Sequence, residues 1–262
     1  MGPRRIGDYR IAGEVRRDHR TIVYVADHQA LDRQVALRVM TAEAARLPRA
    51  ELGFLNEARV LDRLHHPCVP RVYECGVHAG QAWFATDLVI GPSLAELVAG
   101  GARIDVACLL RDLSAILQHA ARRGIALRGI AADRVACVAH RGGIVLCIDN
   151  WSFARGVLDA PGDVAASVYA LGVVAFQAMS GVLAFAASTM ASLAGQGSVR
   201  SYWPHAPRDV AALLDRMLAR DPARRPTLAE VHDAALRLLD GPPIAPAPDF
   251  DEITHTDIAI AG

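Results

Sequence analysis

VYALGVVAFQAMSGVLAFAA (Val168–Ala187) is the stretch that decides the fold. It lies in a run, Val168 to Val199, without a charged side chain, and it is long enough to span a bilayer. Gly172, Gln177, Ser180 and Gly181 interrupt it, and no Lys/Arg cluster flanks it to set an orientation. A helix that is apolar all round is also what the centre of a large domain requires. The surrounding sequence decides between these two readings.

Downstream, Val210, Leu213, Leu214, Met217 and Leu218 recur at helical spacing. Thr227 and Glu230 form a capping box that opens a second helix bearing Leu228, Val231, Ala235 and Leu238. Upstream, Asp105 caps a long helix with the face Val106, Leu109, Leu110, Leu113, Ile116, Leu117 and Ala120. A loop (Gly124–Ala136) and a hairpin (Cys137–Ile148) follow it, and Ser93 with Glu96 caps a short helix, Leu94–Val98. The first ninety residues have a different texture. Tyr9–Val15, Thr21–Asp27, Gln34–Met40, Arg71–Gly76 and Ala82–Val89 are short, β-branched strands separated by polar turns. One helix, about 48–64, interrupts them. Its face Glu57, Leu61, Leu64 places a carboxylate on an apolar stripe, and Arg38 on the preceding strand is the cation expected to pair with it.

The whole chain has 262 residues, is 52% hydrophobic and 21% charged, has a mean hydropathy of +0.21, and carries no formal net charge. That composition excludes a disordered chain and supplies no basic field for nucleic acid. All 28 residues of the Lys+Arg total are arginine. Chemistry that needs an ε-amine, such as a Schiff base or a phosphate-gripping lysine, is therefore excluded. The five cysteines form no C-x-x-C pair. His66, Cys68, Cys75 and His78 have metal-binding side chains at a spacing that fits no standard site. No apolar segment follows the N-terminal arginines, so no signal peptide is read and the expected location is cytoplasmic.

This order of elements resembles the eukaryotic-type Ser/Thr protein kinase fold in its bacterial, Hanks-type form. The motifs that carry the resemblance cover residues 8–240. VALRVM (Val35–Met40) resembles the family's V-A-I-K strand, and NEARVLDRLHHPCVPRVYECG (Asn56–Gly76) resembles the helix and strand that follow it. RGIALRGIAADRVACV (Arg123–Val138) is similar to the catalytic loop and LCIDNWSFAR (Leu146–Arg155) to the metal loop. SVYALGVVAFQAMSG (Ser167–Gly181) resembles the family's central buried helix, and LARDPARRPT (Leu218–Thr227) its C-terminal signature. The resemblance implies an α+β, protein kinase-like bilobal fold. A β-rich lobe with one helix would occupy 8–87 and a mostly helical lobe 88–240, with a Pro-rich, acidic and disordered tail at 241–262. It also assigns the apolar stretch to a domain core, with no membrane span.

The chemistry departs from the family pattern. The three positions of the Gly-rich loop hold Arg16, Asp18 and Thr21, and the phosphate-lysine position holds Arg38. H-R-D reads Leu127-Arg128-Gly129, which leaves the proton-accepting position without a side chain. The second metal-ligand position is Arg134, and D-F-G reads Asp149-Asn150-Trp151, so Asp149 is the lone metal carboxylate. The segment GVLDAPGDVAA between this loop and the buried helix is short and holds no Glu, so Arg225 lacks its family partner. By resemblance a nucleotide pocket would be lined by Val15, Val23, Ala36 and Arg38, with Thr86 as gatekeeper and Asp87–Val89 as hinge.

The resulting expectation is a catalytically inactive kinase-like module that binds, scaffolds or regulates. It requires no cofactor, although ATP, adenosine or Mg²⁺ could enter the pocket. The alternative is an unconventional phosphotransferase with relocated groups, for which Asp133 and Arg128 are the nearby candidates. The expected partners are proteins: an active kinase, or a phosphopeptide reader that takes Thr254 or Thr256 of the tail.

Overall fold

Alternating apolar residues build the first sheet. A computed structural model describes residues 5–127, 129–140, 143–151, 154–156, 162–181, 198–202 and 206–239. The chain divides after Ile90 into two compact units. The first holds an antiparallel six-stranded sheet in the order β1-β2-β3-β4-β6-β5. Its strands are β1 (Arg5–Ile6), β2 (Tyr9–Arg17), β3 (Thr21–His28), β4 (Gln34–Met40), β5 (Val72–His78) and β6 (Gln81–Asp87). Ile22, Tyr24 and Ala26 of β3, Val35, Leu37 and Val39 of β4, and Trp83 and Ala85 of β6 join Ile6 and Tyr9 in a core on one face. Burial of each large apolar side chain of this set contributes about 1.5–3 kcal/mol.

The opposite face carries the alternate residues, including Arg38 and Phe84, and α2 (Ala50–Leu64) covers it. Phe54 of α2 meets Phe84 with ring centroids 5.0 Å apart. Because both faces are covered, β4 is buried continuously from Val35 to Met40. The helix starts two residues later than its apolar pattern suggests, because Arg49 takes a left-handed conformation (φ 61°) that ends helical geometry there. A short α1 (Ala42–Ala45), capped by Thr41, precedes it and was not legible from periodicity. β6 ends at Asp87 rather than at residue 89.

In the second unit, α3 (Leu94–Ala99) opens on the Ser93–Glu96 capping box and α4 (Val106–Arg122) on Asp105. β7 (Ile125–Leu127) pairs with β10 (Ala154–Gly156), and β8 (Val135–His140) pairs with β9 (Gly143–Ile148). The helices α5 (Gly162–Ser180), α6 (Val199–Tyr202), α7 (Arg208–Met217) and α8 (Leu228–Leu238) follow, α8 with its Thr227–Glu230 box. α5 begins six residues before the expected Val168. It buries Val168, Leu171, Val174, Ala175 and Phe176. Gly172 admits α7 closely, since a Cβ there would lie 3.0 Å from the Met217 Cβ. Gly91 is tighter still, because a Cβ would stand 2.3 Å from the Cys137 carbonyl oxygen. Among the described residues no helix is long and apolar enough to cross a membrane. Residues 182–187 of the apolar stretch and the tail 241–262, with Thr254 and Thr256, lie outside the described residues.

Candidate functional site

Arg38 and Glu57 meet as expected from the apolar stripe. Nη1 of Arg38 lies 3.7 Å from Oε1 of Glu57, with the side chains 5% and 6% exposed. The Arg38 guanidinium also stands 6.0 Å from the centroid of the Phe84 ring. Strand register places Val23, Ala36, Arg38 and Thr86 on this same face, since Val23 pairs with Arg38 and Ala36 with Thr86. Val15 differs. The register jumps between Glu14 and Arg16, so Val15 is the extra residue of a bulge, and it is 60% exposed. The Thr86 hydroxyl is buried and donates to the Asp87 carbonyl at 3.1 Å.

Asp87 turns its carboxylate into β5. It accepts from the Arg71 backbone N–H at 2.7 Å and from the Tyr73 hydroxyl, with the Arg71 side chain 3.6 Å away. Burial, then the Asp87 carboxylate, pushes the Tyr73 phenol up from its ordinary value. Arg33 stacks over the Tyr73 ring at 4.2 Å. The Asp87 carboxylate is thus a fastener between strands, and Val89, half-buried, follows the end of β6.

The β2–β3 hairpin tip is built around Asp18. Its Oδ1 accepts from the backbone N–H groups of Arg20 and Thr21, both at 2.8 Å, and its own N–H donates to the Thr21 carbonyl at 2.9 Å. In the family this sequence resembles, loop amides such as these approach the nucleotide phosphates. Here an internal carboxylate already occupies two of them. Thr41 pins the same tip from outside. Its N–H donates to the Arg20 carbonyl at 2.9 Å, its hydroxyl to the His19 carbonyl at 3.1 Å, and its Oγ1 accepts the Ala44 N–H at 3.1 Å.

In the second unit, β7 leads to Gly129 and then to a helical turn, Ala132–Arg134. Nε of Arg134 pairs with Oδ2 of Asp133 at 3.1 Å, with Asp133 58% exposed. Asp149 faces this turn at the open end of the hairpin, because its N–H donates to the Arg134 carbonyl at 3.1 Å. Mg²⁺ does not fit this set of residues. By resemblance the second metal-ligand position is Arg134, whose guanidinium is paired with Asp133, and a hard cation requires several oxygens. Trp151 is fully buried and donates from Nε1 to the Ile148 carbonyl at 3.0 Å. An indole therefore fills the position that is glycine in the D-F-G pattern. Arg128 lies outside the described residues. Burial pushes the Cys137 thiol up to about 11, which disfavours the thiolate. Among the described residues no group of His, Cys, Asp and Glu could hold a metal ion, and the Nδ1 of His66 accepts the Cys68 N–H at 3.1 Å.

Among the described residues, backbone carbonyls hold Arg225 where the family pattern has a Glu. Its guanidinium donates to the carbonyls of Ala219 at 2.9 Å, Ala165 at 2.9 Å and Arg220 at 3.4 Å, and it lies 4.8 Å from the centroid of the Tyr169 ring. Sequence reasoning missed this cage and the Thr41 clasp for one reason: a backbone carbonyl leaves no signature in the residue types that surround it. Tyr73 was hidden too, since it is the extra residue at the register shift between Val72 and Glu74, outside the strand's alternation.

No family model matches the chain. At the sequence level it is 23% identical over 90% of its length to the Ser/Thr protein kinase PrkC of Bacillus subtilis. It is 24% identical over 89% of its length to Pkn1 of Myxococcus xanthus, and 26% over 86% to PknJ of Mycobacterium tuberculosis. The chain covers 41%, 38% and 45% of those three proteins, less than half of each. Among solved structures it resembles the Mycobacterium tuberculosis PknI kinase domain with a TM-score of 0.70 at 22% identity, covering 88% of this chain and 96% of that one. That likeness establishes a protein kinase-like, bilobal fold.

Proposed function

We propose, from the premise that this chain belongs to the bacterial Hanks-type Ser/Thr protein kinase family, that it works as a pseudokinase: a kinase-fold module that binds protein partners and transfers no phosphate. The observation that carries this reading is Gly129. The residue that accepts the substrate hydroxyl proton in the family is here a hydrogen atom. The carboxylate of Asp133, four residues on, is held by Arg134 at 3.1 Å.

Two further features support the same reading, because a carboxylate takes phosphate-binding amides and a cation takes a metal-ligand position. The Asp18 carboxylate takes amides that phosphate would use, and the Arg134 guanidinium stands at a metal position. The Arg38–Glu57 pair then serves as a fastener between β4 and α2. Scaffolding of an active kinase and recognition of a phosphorylated Thr254 or Thr256 by an Arg-lined reader are the partner classes that fit, since each phosphate adds about −1.5 to −2 charge.

The second reading, a phosphotransferase with relocated groups, draws on the retained Arg38–Glu57 pair and Asp149. Incubation of the purified protein with labelled ATP and Mg²⁺ separates the two. No incorporation into itself or generic protein substrates is expected. Incorporation that disappears in Asp149→Ala would overturn the pseudokinase reading. Calorimetric titration with ATP and adenosine is expected to show no gain from Mg²⁺.

A further inference from the structure

The corner between α1 and α2 exposes a mixed surface that no described residue of the first unit covers. Leu47 and Leu52 are 58% and 62% exposed, two of the largest apolar exposures among the described residues. Arg46 and Arg49 flank Leu47 and are both exposed. Arg20, carried there by the pinned hairpin tip, reaches the first turn of α2. Its Nη2 lies 3.9 Å from the position a Cβ of Gly53 would take. Glu43 and Glu51 on the same helices offset part of this charge. The cations are therefore local to the leucines, and apolar contact must supply the rest of any binding.

One segment of this chain has the complementary composition. Residues 249–260 read DFDEITHTDIAI: four acids, Asp249, Asp251, Glu252 and Asp257, interleaved with Phe250, Ile253, Ile258 and Ile260. A Pro-rich linker, residues 240–248, joins it to the end of α8. In the extended polyproline form such a linker reaches about 28 Å at roughly 3.1 Å per residue. We propose that residues 249–260 dock on the α1–α2 corner of their own chain, with the apolar residues over Leu47 and Leu52 and the acids against Arg20, Arg46 and Arg49. The docked segment would shield an apolar patch that otherwise invites association. It would also couple Thr254 to the helix that carries Glu57, since a phosphate at Thr254 adds charge of the sign the corner attracts.

The test uses the full chain and amide hydrogen exchange read by mass spectrometry. Segment 249–260 is expected to exchange about tenfold more slowly than an unstructured peptide of the same sequence, a factor equal to roughly 1.4 kcal/mol. In R46E/R49E, and in the tail variant D251R/E252R, that protection is expected to vanish. Combining the two sets of substitutions restores it, because the charges are then exchanged across the contact. The tail variant leaves the folded units untouched, so a failure of R46E/R49E to fold would not confound the result. Unprotected exchange of residues 249–260 in the unmodified chain would overturn the proposal. So would protection unchanged by D251R/E252R, or protection that rises with protein concentration and so reports docking on a second copy.

Discussion

Replacing Glu57 with Gln removes one charge from a pair whose side chains are 5% and 6% exposed, and almost nothing of its shape. At 3.7 Å the partners are in Coulomb contact, and the variant leaves the buried Arg38 cation facing a neutral amide. Breaking a buried pair from one side costs about 3–5 kcal/mol, whereas an exposed pair costs at most about 1 kcal/mol. For a chain of this size each kcal/mol moves the melting temperature by about 2–4 °C, so the drop is expected to be roughly 6–20 °C. The companion variant R38M/E57L removes both charges and keeps the volume. It is expected to recover most of the loss, because a packed apolar pair is often as stable as the ion pair it replaces. Differential scanning calorimetry reads both. A Glu57→Gln melting temperature within about 2 °C of the parent would refute the buried-fastener account. A double variant as unstable as the single one would do the same.

Two other outcomes follow from particular contacts. Thr41→Val removes the hydroxyl that clasps the His19 carbonyl and caps α1, and is expected to cost about 1–2 kcal/mol and speed amide exchange at the β2–β3 tip; unchanged exchange there would show that the tip is rigid without the clasp. The carboxyls of Glu96 and Glu230 are held below the usual carboxylate range, first by the backbone N–H of Ser93 and Thr227 and then by their hydroxyls. Their contribution is present above the unfolded value, about 4.3, and is lost as pH falls through the lower folded values. A stability–pH curve for E96Q/E230Q is expected to lose part of its acid limb, and a curve parallel to the parent's would count against the linkage.

The fold was legible because its elements are periodic. β4 is read to the residue, since Val35, Leu37 and Val39 alternate with Ala36, Arg38 and Met40, and α4 is read from Asp105 and its apolar face. The Arg38–Glu57 pair was legible because a carboxylate on an apolar stripe requires a cation nearby. What stayed hidden was chemistry directed at the backbone. Asp18 stood in the sequence only as a side chain at a Gly-rich-loop position, whereas its carboxylate accepts from the amides of Arg20 and Thr21. The start of α2 was misplaced because the left-handed Arg49 carries no signal in its side chain.

The cage around Arg225 has a consequence for how the chain tolerates change. A guanidinium held by carboxylates depends on the survival of particular acids, and one mutation at such a position releases it. Arg225 instead donates to the carbonyls of Ala165, Ala219 and Arg220, which any residue at those positions would supply. Substitutions at these three sites are therefore buffered as long as the backbone keeps its path. The vulnerability passes to Arg225 and to Tyr169, whose ring covers the guanidinium. A random-mutagenesis library scored for folding would find these two positions intolerant and the three carbonyl acceptors permissive, the reverse of the pattern an acid–base anchor leaves.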